Sequence, residues 1–370
     1  MHCQNGILRY FFAPCGLLFL LVAGTACSCL GASFSGVGDL PGGDTYSYCY
    51  GVSADGVTVV GKTSSTASGA GGREAFLWTN GVMIGLGDLP TASFGSQASG
   101  VSGDGSLIVG YGYTNSLQRA VRWTAAGSML EVGVLPGFSK SVARAISADG
   151  SAIVGYLYEG TTNQAFRSTN GVMAGLGDLG GAFSDAYGVS ADGAVVVGGA
   201  KVNGTNVAFR WTAADGMQSL GTLPGHGASY GYGISLDGQA IVGYAATGST
   251  SQAFLWTAAH GMAPLGDLSG GDFYSRANAA NADGSVVVGT SRVATGGGGD
   301  RAFIWDASGG MREVAAALAD LDVDTSGWTL TSATGVSADG LIVAGVGTHN
   351  GKTEGWVADL TRKPVRVFIK

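Results

Sequence analysis

One short signature recurs from end to end of this chain and constrains its fold more than any other feature. Ser-x-Asp-Gly stands at Ser53–Gly56, Ser102–Gly105, Ser147–Gly150, Ser190–Gly193, Ser235–Gly238 and Ser337–Gly340, and Asn281–Gly284 is an Asn-initiated seventh copy. From one tetrad Asp to the next the intervals are 49, 45, 43, 45, 46 and 56 residues. A period of about 40–50 residues is that of a four-stranded propeller blade, whereas the coils of a β-solenoid are shorter. Seven units that each bury too little alone must bury one another, and a ring does this while leaving only short strand edges. The repeat therefore predicts an all-β fold, a seven-bladed β-propeller of four-stranded blades.

Each copy carries four strand-like runs. In the first copy these are Ser47–Ser53 (SYCYGVS), Val57–Lys62 (VTVVGK), Ala75–Thr79 (AFLWT) and Met83–Leu89 (MIGLGDL), with Pro90 ending the last. Phe76 and Trp78 fall on one face by the two-residue strand period. Asp55-Gly56 and Asn80-Gly81 are dipeptides of the kind that close two-residue hairpins, in which both central residues take positive φ. The third run reads AVRW at 120–123, AFRS at 165–168, AFRW at 208–211, AFLW at 253–256 and AFIW at 302–305, and degenerates to Gly355-Trp356-Val357 in the last copy. With 67 glycines and only 12% charged residues, the composition suits strands and tight turns rather than helices.

The two ends of the repeat region are complementary. Phe34–Leu40 (FSGVGDL) matches a fourth run with no first three before it, and the last copy supplies three runs and finishes near Leu360. Phe34–Leu40 is thus predicted to be the outer strand of the last blade, so that the N-terminal strand closes a propeller spanning 33–360. Residues 361–370 form a C-terminal tail, either an extra edge strand or a free end. The longest interval contains Met311–Leu321 (MREVAAALADL), where Val314, Leu318 and Leu321 keep helical spacing and predict one short helix.

Residues 1–32 read as a signal peptide: Arg9 supplies the positive region, Gly16–Gly24 the apolar one, and small residues from Ala23 to Ala32 the cleavage sites. The apolar stretch is shorter than the ~18 residues needed to span a bilayer. Export to the extracellular space or cell surface is expected, with no stable membrane insertion after cleavage; lipid attachment at Cys27 is the alternative. Four of the five cysteines lie in or beside this leader, which rules out a disulfide framework and leaves Cys49 as a small buried strand residue. A net charge of -7 without any Lys/Arg cluster removes nucleic acid as a partner. A monomer is expected.

The motifs Gly-Leu-Gly-Asp-Leu-Pro, Gly-Val-Ser-Ala-Asp-Gly, Val-Val-Gly and Ala-Phe-x-Trp-Thr, with Gly327-Trp328-Thr329-Leu330 opening the last copy, resemble the bacterial extracellular repeat family called HAF. The resemblance covers residues 34–360. It implies an exported protein and brings no catalytic residues to transfer. The residue before Ala-Phe is Glu74, Gln164, Val207, Gln252 or Arg301 and never His, a departure at what reads as a strand entry.

No catalytic constellation stands out. Each tetrad offers one carboxylate among apolar strand residues, where calcium wants six to eight converging oxygens, so the aspartates read as turn formers. The Gly-Asp-Leu aspartates Asp39, Asp88, Asp178 and Asp267 read as repeated scaffold, and His226, His260 and His349 as separate surface residues without metal-ligand spacing. No metal or cofactor is expected. The loops that follow the Leu-Pro ends should gather at one mouth of the ring, presenting Asp44, Tyr46, Phe94, Phe138, Phe183, His226, Tyr230, Asp272 and Phe273. An aromatic beside a polar group stacks sugars or anchors peptides; plugging the loops against the blades is the other reading and the more common fate of such aromatics, which readily serve as core. The function expected is a non-enzymatic binding scaffold for an extracellular protein or polysaccharide, with an extracellular propeller enzyme acting on carbohydrate as the alternative.

Overall fold

In a computed structural model that describes residues 31–67, 72–89, 95–270, 273–293 and 298–362, seven four-stranded antiparallel sheets form a ring. The leader through residue 30, Phe94, Asp272 and the tail from 363 lie outside the described residues. Blade 1 is Ser47–Val52, Thr58–Thr63, Glu74–Thr79 and Val82–Gly85, and blades 2 to 6 follow in chain order. Blade 7 takes Trp328–Val336, Ile342–His349 and Lys352–Asp359 from the C-terminal end and Ser33–Gly36 from the N-terminal end. First strands of neighbouring blades touch one another and so surround the axis.

The predicted closure is present. Ser33 pairs with Asp359 and Gly36 with Trp356, antiparallel, and the Val37 N–H reaches the Gly355 carbonyl at 2.9 Å. The ordered strand is shorter than Phe34–Leu40, because Gly38 bends away at φ 72°.

The Asn80-Gly81 turn has both residues at positive φ, 51° and 81°, as expected. The Asp55-Gly56 expectation needs correction: only Gly56 is at positive φ. The reason is the serine. Ser53 Oγ donates to Asp55 Oδ1 at 2.5 Å and accepts the Thr58 N–H at 2.9 Å, while Asp55 Oδ1 also accepts the Val57 N–H. A longer side-chain-capped turn replaces the two-residue hairpin. The tetrad glycines also abut the preceding blade; a Cβ on Gly56 would meet Ile342 of blade 7 at 2.5 Å. Neighbouring tetrads are tied together by backbone bonds such as Ala338 N–H to Ala54 O and Gly103 N–H to Ala148 O, both 2.9 Å.

These hydrogen bonds hold Asp104 at about 2, first through Ser102, and hold Asp149, Asp192 and Asp283 below the usual carboxylate range through Ser147, the Ala194 N–H and Ser285. Folded values below the unfolded ~3.9 give stabilisation that is complete above about pH 4 and is lost as pH falls through the folded values. Asp39, Asp88 and Asp185 are raised, chiefly by burial, and act oppositely: their protonation above pH ~4 relieves the fold. The urea midpoint is therefore expected to stay level or rise slightly from pH 6 to about 4 and to fall between about 4 and 2. A midpoint unchanged down to pH 2 removes the tetrad carboxylates from the framework.

The interblade core is built from the repeat. Phe76, Phe166, Phe209, Phe254 and Phe303 are fully buried, and each is paired with a glycine of the second strand, as in Gly61 with Phe76. In blade 7 the register puts Trp356 at this phenylalanine position, opposite Gly345. Cys49 is fully buried, and burial pushes its thiol well above the usual range. The expected helix is shorter than Met311–Leu321: Gly310–Glu313 is the outer strand of blade 6, and the helix is Val314–Ala319, with Val314 and Leu318 buried. Pairing of Met311 with Trp305 claims the first turn for the sheet.

Candidate functional site

The axial site is created by a β-bulge repeated seven times. In every first strand the register slips by one residue opposite the second strand at the same place, and the extra residue there is Tyr50, Ser99, Arg144, Tyr187, Tyr232, Asn278 or Thr334; blade 7 slips a second time, at Thr331. A bulge re-aims the side chain it frees. All seven line one axial cavity of about 220 Å³. Its apolar layer includes Val52, Val101, Ile146, Val189, Ala280 and Val336, which also border a second, smaller cavity of about 70 Å³ on the tetrad side. The channel is thus a cup, polar at the rim and apolar at the floor. The ring of seven holds one cation, Arg144, and neither an acid nor a histidine.

Tyrosines surround this cup. Tyr10 apart, every tyrosine of the chain lies on or beside the first two strands of a blade, toward the same mouth. Tyr187 and Tyr232 stack at 4.9 Å, Tyr232 and Tyr244 at 5.6 Å, and Tyr244 and Tyr230 at 5.0 Å, a stack across blades 4 and 5. Arg276 of blade 6 extends it, its guanidinium 4.4 Å from the Tyr244 ring and 4.8 Å from Tyr274. On the other side Arg144 lies 5.4 Å from the Tyr156 ring, and Lys62 sits between Tyr48 and Tyr50 at 5.6 and 5.4 Å. Burial, then Arg73 and Arg144, lowers the Lys62 pKa. Burial pushes Tyr111 up to about 12 and Tyr50 and Tyr187 higher still, so the phenols are neutral hydrogen-bond donors at neutral pH. Asp185 lies behind the rim, accepting hydrogen bonds from Asn163 at 3.0 Å and from the Tyr187 hydroxyl at 3.1 Å.

The sequence-derived mouth residues divide. Tyr46 and Tyr230 belong to the tyrosine cluster: the Arg73 guanidinium lies 3.9 Å from the Tyr46 ring, and Asn206 donates to the Tyr230 hydroxyl at 2.7 Å. Phe183 carries the Lys201 ammonium 5.0 Å from its ring. Phe138 packs into the core between blades 2 and 3, the plugging role. Asp44 is exposed, His226 makes a local contact with the Pro224 carbonyl at 3.3 Å, and Phe273 is 72% exposed at φ 51°. Phe94 and Asp272 fall outside the described residues.

His349 is no isolated surface residue. Its ring stacks on Trp328 at 4.3 Å and Nδ1 lies 2.7 Å from Glu354, whose other oxygen accepts the Gly38 N–H. This pair braces the ring closure. Asp39 and Asp88 similarly accept loop N–H groups from Tyr46 and Gly95, in keeping with a scaffold role. Sequence reasoning missed the seven bulge residues. Their signal is position: each directly precedes the Gly-Val-Ser-type run and varies where its neighbours repeat.

Among the described residues no helix is long and apolar enough to cross a membrane. No family model matches the chain, and no curated protein does. Solved structures do. An oligogalacturonate lyase from Vibrio parahaemolyticus is 10% identical, with 89% of this chain and 97% of that one covered at a TM-score of 0.56. The β-propeller domain of the Trilobed protease from Pyrococcus furiosus, described as having an open velcro topology, is 12% identical over 88% of this chain and 98% of that one, at 0.52. TolB from Acinetobacter baumannii is 14% identical at 0.51, with 70% of this chain matched to 63% of the length of that one. At such identities the likeness is of fold: the chain is a β-propeller scaffold.

Proposed function

We propose that this chain is an exported, non-enzymatic propeller of the HAF type that binds an extracellular polysaccharide or protein in its axial cup, a polysaccharide being the better fit. The observation that carries this reading is the gathering of tyrosines and guanidinium groups around one mouth. Tyrosine rings offer flat faces to pyranose rings, and their neutral hydroxyls, with Ser99, Asn278 and Thr334, offer hydrogen bonds to hydroxyl groups. Glycan-array binding by the protein tests it. Arg144→Ala and Tyr232→Ala are expected to weaken a glycan hit by roughly 10–100-fold, the worth of one or two strong polar or stacking contacts. No glycan bound by the parent ends the polysaccharide version.

The rival reading, an enzyme acting on carbohydrate, draws support from Asp185, a carboxyl raised by burial beside the cup. It needs the parent to release new sugar ends from a polysaccharide and Asp185→Asn to lose that release.

A further inference from the structure

Five blades carry an indole in the same place. Trp78, Trp123, Trp211, Trp256 and Trp305 all end the third run, Ala-Phe-x-Trp in four blades and Ala-Val-Arg-Trp in blade 2, and each is paired with the equivalent position of the second strand, Val59, Ile108, Val196, Ile241 or Val287. The cross-strand neighbours are methionines, Met83, Met129, Met217, Met262 and Met311. Each indole packs in the seam against the preceding blade; Trp123, for example, shares a cluster with Val60, Leu77 and Leu86 of blade 1.

Two blades lack it. In blade 7 the register places Ala358 there, opposite Val343, and the seam with blade 6 receives the helix: Val314 and Leu318 are fully buried in one cluster with Ala358. In blade 3 the residue is Ser168, opposite Ile153 and across from Met173. Among the described residues no inserted segment compensates, and the seam between blades 2 and 3 opens into a cavity of about 390 Å³ bordered by Arg122, Leu130, Glu131, Val132, Ile153 and Ser168, so that Arg122 and Glu131 are its two charged side chains. That volume is within the range of small-ligand sites. A smaller cavity of about 290 Å³ persists beside the helix, but five charged side chains border it, Asp306, Arg312, Asp320, Asp339 and Arg362.

We propose that the blade 2–3 cavity is a binding site for a flat, two-ring aromatic group of indole size, held where the other blades hold their own tryptophan. The next seam supplies the template for its recognition. There the Arg167 guanidinium of blade 3 lies 6.0 Å from the Trp211 ring of blade 4. Arg122 occupies in blade 2 the position Arg167 occupies in blade 3, each one residue before the indole position. It therefore stands over the site with cation–π chemistry in place. Leu130, Val132 and Ile153 supply the apolar walls, and Met173 keeps the thioether that faces an indole elsewhere.

Titration with indole and with N-acetyl-tryptophanamide, followed by calorimetry and by line shifts in NMR spectra, tests the site. Saturable binding of indole is expected, with Kd on the order of 0.1–1 mM for a ligand of so few atoms. The amide binding as well assigns the group to a side chain presented on a peptide; indole alone assigns it to a free aromatic. Ser168→Trp is expected to abolish binding and to raise the melting temperature by a few degrees, since it restores the repeat. Arg122→Ala, which fills nothing, is expected to weaken indole several-fold and serves if the tryptophan variant does not fold. No saturable binding by the parent, or equal binding by Ser168→Trp, overturns the proposal.

Discussion

A chain that begins at residue 42 melts roughly 5–10 °C below one that begins at residue 33, on a loss of about 5 kcal/mol and the usual unfolding entropy per residue. The difference is larger than the length of the strand suggests. Four residues pair with Lys352–Asp359, and their loss exposes that strand as a new edge. Phe34, half-buried, packs edge-on to Trp328 at 5.2 Å and Val37 is buried, so about 1.5–3 kcal/mol of apolar burial is lost at Val37 and part of that at Phe34. Glu354, itself buried, loses the Gly38 N–H and keeps only its contact with His349. A permutant separates this account from a general truncation effect. Asp359 and Ser33 are paired as Thr79 and Val82 are in blade 1, where Asn80-Gly81 joins them. Attaching residues 33–41 after Asp359 through Asn-Gly makes blade 7 an ordinary blade and is expected to restore the melting temperature. Scanning calorimetry of the three chains decides; equal melting of the truncated and full chains removes the N-terminal strand from the closure.

The architecture was legible because it is periodic. The tetrad spacing gave the blade count, and the orphan fourth run at Phe34–Leu40 gave the closure, since each depends only on matching one stretch of sequence to another. Details set by side chains bonding to backbone were harder to see. Asp55-Gly56 satisfies the pattern of a two-residue hairpin, and only the geometry reveals that Ser53 captures the Thr58 N–H and lengthens the turn. The site was half legible for a related reason. Reading outward-pointing loops found Tyr46 and Tyr230, but a strict two-residue alternation assigns Tyr50, Arg144 and Tyr187 to faces they do not keep, because the bulge breaks the alternation. Ser168 was visible as a break in Ala-Phe-x-Trp, yet its consequence depends on which blade the missing ring would have faced.

Gly243→Ala destabilises the protein by about 3 kcal/mol or more, well beyond what one added methyl costs on a surface. Its φ is not positive, so conformational freedom is not the reason. A Cβ there would lie 1.9 Å from the Tyr230 carbonyl oxygen, and the corresponding glycines of the other blades show the same conflict, Gly61 with Tyr48 at 1.8 Å and Gly289 with Arg276 at 2.0 Å. The approach is close because the bulge at Tyr232 folds the first strand over the second. Gly127 is the control: it has φ 89° and nothing within 4 Å of a Cβ, so Gly127→Ala carries only a conformational cost of about 1–2 kcal/mol. Urea unfolding is expected to rank Gly243→Ala clearly below Gly127→Ala, and two equal midpoints would break the link between glycine and bulge. Whatever fraction of Gly243→Ala folds must relieve the contact by moving the first strand, which carries Tyr232 into the cup. Its affinity for any ligand of the cup should fall with its stability, whereas Gly127→Ala should bind like the parent.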